Sequence, residues 1–99
     1  MAERMLQFVT QPQVQPEKRG ADERRHDFGE IYKGFVRTRA EEQASRCSQC
    51  GIPFCSVHCP LGNNIPAWLK LTAEARLQEA YELSSATTTF PALFGRTCP

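Results

Sequence analysis

The sequence has no apolar run approaching the roughly 18 residues that suggest a membrane span. Its opening residues also lack the charged, apolar, small order of a secretory leader. Neither charge is in excess: 12 basic and 11 acidic residues give a net charge of +1, which makes no electrostatic case for nucleic acid or an anionic membrane. No G-x-G-x-x-G occurs, so the flavin or nucleotide fingerprint is missing. There is no convincing strand, internal repeat or long low-complexity tract. These absences predict a cytoplasmic protein without a membrane or nucleic-acid partner. At 99 residues it is at most one small domain, whose core alone gains little stability, so an outside staple is expected.

What the sequence does have is cysteine. Four of its five lie within thirteen residues, Cys47 to Cys59, and the fifth is Cys98. A reducing compartment and an odd count argue against a disulfide framework and favour metal or cofactor ligation. The spacing C-x2-C-x4-C-x3-C-P argues for iron and sulphide, because short loops let successive thiolates wrap one cluster, or divide between two. Gly51 and Pro53 sit where the backbone has to bend. In bacterial two-cluster ferredoxins the cysteine of the final x3-C-P serves the other cluster. By that analogy Cys47, Cys50 and Cys55 share one cluster, and Cys59 joins Cys98 at a second.

Zinc is the competitor, since four thiolates, or three with His58, complete a tetrahedral site. Zinc frameworks usually set their two knuckles a dozen or more residues apart, whereas Cys50 and Cys55 are close. A zinc-stabilised interaction module therefore remains as the alternative, as does a free-standing ferredoxin with one cluster on Cys47, Cys50, Cys55 and Cys59. Arg46 and Arg96 are candidates to offset a cluster's negative charge, and Trp68 reads as a packing residue.

The rest of the chain reads as all-α with cysteine-bearing loops. Residues 1–26 are expected to form an extended or disordered arm, because Pro12, Pro16 and the charges from Glu17 to Arg25 oppose helix and core alike; Phe8 and Val9 are its candidate anchors. Residues 27–99 form the domain proper. Asp27 to Glu30 looks like a capping box ahead of Ile31, Tyr32 and Phe35 at helical spacing. A second box, Thr38 to Glu41, opens a helix through Arg46. Asn64 caps a helix with Pro66 in its first turn and Trp68, Leu69 and Leu71 on its apolar side. Thr72 is expected to cap the next, Ala73 to about Ser85, with a packing stripe of Leu77, Ala80, Tyr81 and Ser84. One further turn is expected at Phe90 to Phe94. Apolar residues and a Cys-Pro pair at the very end suggest a fragment.

Taken together, Arg46-Cys47-x-x-Cys50-Gly51-x-Pro53-x-Cys55-x-x-x-Cys59-Pro60, Asn64-Ile65-Pro66-x-Trp68-Leu69 and Gly95-Arg96-x-Cys98-Pro99 resemble the N-terminal iron-sulphur domain of bacterial NADPH-dependent glutamate synthase small (β) chains. Phe28-x-x-Ile31-Tyr32 and Gln43-Ala44 fit the same pattern. Dihydropyrimidine dehydrogenase and several smaller flavin oxidoreductases carry a similar domain. The resemblance implies an α-helical ferredoxin-like domain with two 4Fe-4S clusters, ahead of an FAD- and NADPH-binding body that this segment does not contain. It implies that Cys47, Cys50 and Cys55 hold one cluster, that Cys59 and Cys98 contribute to the second, and that further ligands lie beyond Pro99. It implies a large-subunit partner, whose FMN receives electrons from NADPH and FAD while glutamine and 2-oxoglutarate become two glutamates. The segment alone is expected to carry no catalytic site.

Overall fold

The computed structural model describes residues 5–98 and places among them six α-helices: α1 (Ala21–Arg24), α2 (Arg37–Ala44), α3 (Phe54–Val57), α4 (Ile65–Ala73), α5 (Leu77–Ser85) and α6 (Pro91–Thr97). A 3-10 turn at Gln7–Val9 precedes them. No strand forms among the described residues, where the isolated pairing is an antiparallel bridge between Lys18 and Tyr32. The chain is all-α, as its sequence predicts. Residues 1–4 of the expected arm, and Pro99 of the Cys-Pro pair, lie outside the described residues.

Helix α4 is the centre, packed against α5, α2 and α3. The fully buried apolar side chains are small: Ala73 is 1% exposed, and Ala44 and Ala80 are also buried. Large apolar side chains such as Phe28, Phe54, Tyr81 and Phe90 stay exposed. The radius of gyration is 14.6 Å, against about 13 Å for a compact chain of this length. Little of the stability therefore comes from a conventional apolar core.

Helix α2 forms because Arg37–Ala44 is rich in Ala, Glu, Gln and Arg. Its start corrects the expected capping box. Thr38 lies inside the helix, Val36 is the N-cap, and Glu41 accepts from Arg37 Nε at 3.2 Å instead of reaching back to the first turn. Arg37 Nη2 also donates to the Ala75 carbonyl at 3.1 Å and so ties α2 to the turn after α4.

The continuous helix expected from Ala73 does not form, and Thr72 does not cap it. Thr72 lies within α4, donating from Oγ1 to the Trp68 carbonyl at 2.8 Å. The chain then stops in a Schellman turn: Arg76 N–H donates to Leu71 O at 2.9 Å and Ala75 N–H to Thr72 O at 3.0 Å, with Ala75 left-handed at φ 63°. Glycine usually takes that position, which is why the boundary is hidden in the sequence. A left-handed alanine costs about 1 kcal/mol. Ala75→Gly is expected to stabilise the fold by about 0.5–1 kcal/mol in denaturant unfolding, the relief exceeding glycine's entropic cost.

Of the short helix or turn expected after Asp27, the helix does not form. Arg19 captures the cap residue, donating from Nη2 to Asp27 Oδ1 at 2.7 Å and from Nη1 to Oδ2 at 3.2 Å, and Gly29 N–H donates to Oδ1 at 2.8 Å. Asp27 therefore closes a loop. The hydrogen bond from Arg19, then that from Gly29, pulls its pKa down from 3.8 to about 2. A carboxylate with a depressed folded pKa contributes stability above its unfolded pKa and loses it as the pH falls through the folded one. The Gly29 amide resonance is thus expected to titrate near pH 2 and to lose that response in Asp27→Asn.

The N-terminal stretch is laid along α2 by backbone bonds. Leu6 N–H donates to Cys47 O at 2.8 Å and Gln7 N–H to Ser45 O at 2.9 Å. The Gln43 amide clamps the arm at two points, accepting from Val14 N–H at 3.0 Å and donating to Pro12 O at 3.1 Å. Phe8 and Val9 remain exposed and do not anchor it.

Candidate metal centre

All five cysteines are free thiols. Cys47 follows α2, Cys50 lies just before the bend at Gly51 and Ile52, Cys55 is inside α3, and Cys59 comes just after that helix. The four thus span the connection from α2 to α4. Cys98 is distant in sequence and caps the C-terminal end of α6, its N–H donating to Phe94 O at 2.9 Å. Cys50, Cys55 and Cys98 are exposed, and Cys47 and Cys59 half-buried.

Pro53 is the N-cap of α3, and Gly51 falls in the bend before it, as their chemistry predicts. The left-handed residue of the first knuckle, however, is Gln49, at φ 51°. That conformation turns its backbone N–H toward Cys47 Sγ at 3.5 Å, while side-chain Nε2 donates to the same sulphur at 3.4 Å and to Pro66 O at 2.7 Å. One side chain thereby fastens the first knuckle to the opening turn of α4. Nothing in its residue type announced this, because it depends on a backbone conformation uncommon for glutamine.

Cys59 sits in a nest of backbone donors. The N–H of Asn63, then that of Leu61, lowers its pKa; partial desolvation opposes them, and Gly62 N–H adds to the lowering. Gly62, at φ 62°, supplies the left-handed turn that brings these groups round, and its N–H also donates to Cys59 O at 2.9 Å. The thiolate is the ligand form of cysteine, so this loop favours ligation.

The proposed charge-balancing arginines are engaged elsewhere. Arg46 Nε donates to the Gln11 carbonyl at 2.9 Å, and Arg96 pairs with Glu30, whose pKa it lowers. His58 stacks on Phe54 with ring centroids 6.2 Å apart. Trp68 is half-buried and donates from Nε1 to Asn63 Oδ1 at 2.7 Å.

The residues fit an iron-sulphur group in their chemistry. The ligand set is soft, the thiols are free, and the Cys47 sulphur already accepts from N–H donors of the kind that tune such clusters. Among the described residues no three Cys, His, Asp or Glu side chains gather to hold one ion, and the same thiols would serve zinc as well.

Residues 24–99 match the family model described as dihydropyrimidine dehydrogenase domain II, 4Fe-4S cluster. The glutamate synthase [NADPH] small chain of Azospirillum brasilense is 64% identical over 98% of this chain, and that of Escherichia coli is 44% identical over the whole of this chain. The chain spans about a fifth of the length of these curated relatives (20% and 21%). A protein of Escherichia coli named as the oxidoreductase AegA is 40% identical over 92% of the chain, which covers 14% of it.

Proposed function

Since this chain belongs to the dihydropyrimidine dehydrogenase domain II family of 4Fe-4S domains, we propose that it is the electron-transfer segment of a glutamate synthase small chain. In this role it serves the passage of electrons from NADPH and FAD toward the FMN of a large subunit, where glutamine and 2-oxoglutarate yield glutamate. The observation that carries the reading is the Cys47 to Pro60 frame, with the Gln49 backbone and side-chain N–H groups donating to the Cys47 sulphur. The 64% identity to one such small chain supports the choice of enzyme. The match to AegA favours a second reading, the equivalent domain of another flavin oxidoreductase.

Under this proposal Cys47, Cys50 and Cys55 hold one 4Fe-4S cluster, and Cys59 and Cys98 contribute to a second. Their remaining ligands, and the FAD and NADPH sites, belong to other parts of the polypeptide. When bound, such clusters supply one-electron redox chemistry at potentials set by their surroundings. Gln49 fixes where the Cys47 sulphur points, the loop from Leu61 to Asn63 favours the Cys59 thiolate, and the Pro60 ring stiffens the turn out of Cys59. Residues 1–26 form an arm along a ferredoxin-like domain of residues 27–99, and the protein is cytoplasmic.

Anaerobic addition of NADPH to the full, FAD-loaded chain tests this. The absorbance near about 400 nm from iron-thiolate charge transfer is expected to bleach, and adding the large subunit with glutamine and 2-oxoglutarate is expected to restore it as glutamate forms. An absorbance indifferent to NADPH contradicts electron transfer. Bleaching that the large subunit and its substrates do not reverse favours the other oxidoreductase.

A further inference from the structure

Gln49 donates to one cysteine sulphur twice, from its backbone N–H at 3.5 Å and from side-chain Nε2 at 3.4 Å, both to Cys47 Sγ. Nε2 also donates to the Pro66 carbonyl at 2.7 Å. A side-chain amide nitrogen carries two hydrogens, and these two acceptors use both of them. The Pro66 carbonyl can only accept, so it decides which end of the amide it faces: turning the amide over would set two oxygens against each other at hydrogen-bonding distance. The opening turn of α4 therefore aims a side-chain N–H at the sulphur. Gln49 holds this place at φ 51°, a left-handed backbone that residues other than glycine adopt only at a cost. Cys47, Gln49 and Pro66 are each half-buried, so water competes only partly for these bonds.

We infer that Gln49 raises the reduction potential of the cluster that Cys47 ligates, through the amide N–H that the Pro66 carbonyl directs at the Cys47 sulphur. The inference rests on the assignment of Cys47 proposed above and adds to it a residue outside the ligand set. One-electron reduction, with the electron drawn from NADPH by way of FAD, leaves a cluster and its thiolates one charge more negative. An N–H at a ligand sulphur favours the more negative state, so it raises the potential. A glutamine that only fastened the first knuckle to α4 would alter stability and iron uptake and leave the potential where it was.

The test is a redox titration followed by EPR on the full, anaerobically reconstituted chain, comparing wild type, Gln49→Gly and Gln49→Met. The signal belonging to Cys47 is the one lost in Cys47→Ser. Gln49→Gly keeps the left-handed turn and the backbone N–H and removes the side-chain donor. Gln49→Met keeps the length of the side chain and puts a group without an N–H in place of the amide. Both are expected to shift the midpoint of the Cys47 signal to lower potential and to leave the midpoint of the Cys59 signal in place. If one variant takes up no iron, the other decides. An unchanged or higher midpoint, equal shifts of both signals, or loss of iron uptake in both variants overturns the inference while leaving the functional reading intact. Wild type that binds no iron overturns both.

Discussion

Cys59→Ser is expected to remove about half of the iron from the full, reconstituted chain and to abolish one of two EPR signals. Cys59 is set apart from the three cysteines before it. It lies beyond the end of α3, the Pro60 ring constrains the next residue, and the backbone N–H groups of residues 61–63 lower its pKa. If Cys47, Cys50 and Cys55 serve a different centre, that centre keeps its ligands in this variant. The reciprocal change, Cys47→Ser, is expected to spare the Cys59 signal. Were all four cysteines to hold a single cluster, either change would remove the same iron, and the two variants would look alike.

Ala73→Leu is expected to destabilise the fold by about 1–3 kcal/mol, because added methylenes have no room in a close-packed contact. Ala73 is 1% exposed on the central helix and Ala80 is buried on α5, so α4 and α5 meet through methyl groups. A domain with so few buried side chains has no large residues to repack around the intruder. Chemical denaturation of the reconstituted protein measures the loss. The reverse kind of change, Leu77→Ala, is expected to cost less than about 1 kcal/mol, since that side chain is 42% exposed.

The cysteine frame and the two best helices were legible in the sequence for identifiable reasons. The spacing of the thiols is itself the signal, α2 is rich in helix formers, and α4 carries Pro66 in its first turn. Asn64 is the N-cap of α4 as expected, although its side chain makes no capping hydrogen bond. The second half of the helical region was misjudged because Ala75 takes a left-handed conformation that its residue type disfavours. The segment after Asp27 has a helix's periodicity, but Arg19, eight residues earlier, takes the capping carboxylate for a loop. Long-range partners of this kind leave no local trace. The donors to the Cys47 sulphur are hidden for a related reason: they depend on the left-handed φ of Gln49.

The central claim is that these thiols are built for iron and sulphide. Elemental analysis of the full chain after anaerobic reconstitution tests it most directly. Iron and acid-labile sulphide in equal amounts, about eight of each per chain for two four-iron clusters, is the predicted result; a colourless protein that retains zinc and no sulphide would contradict it.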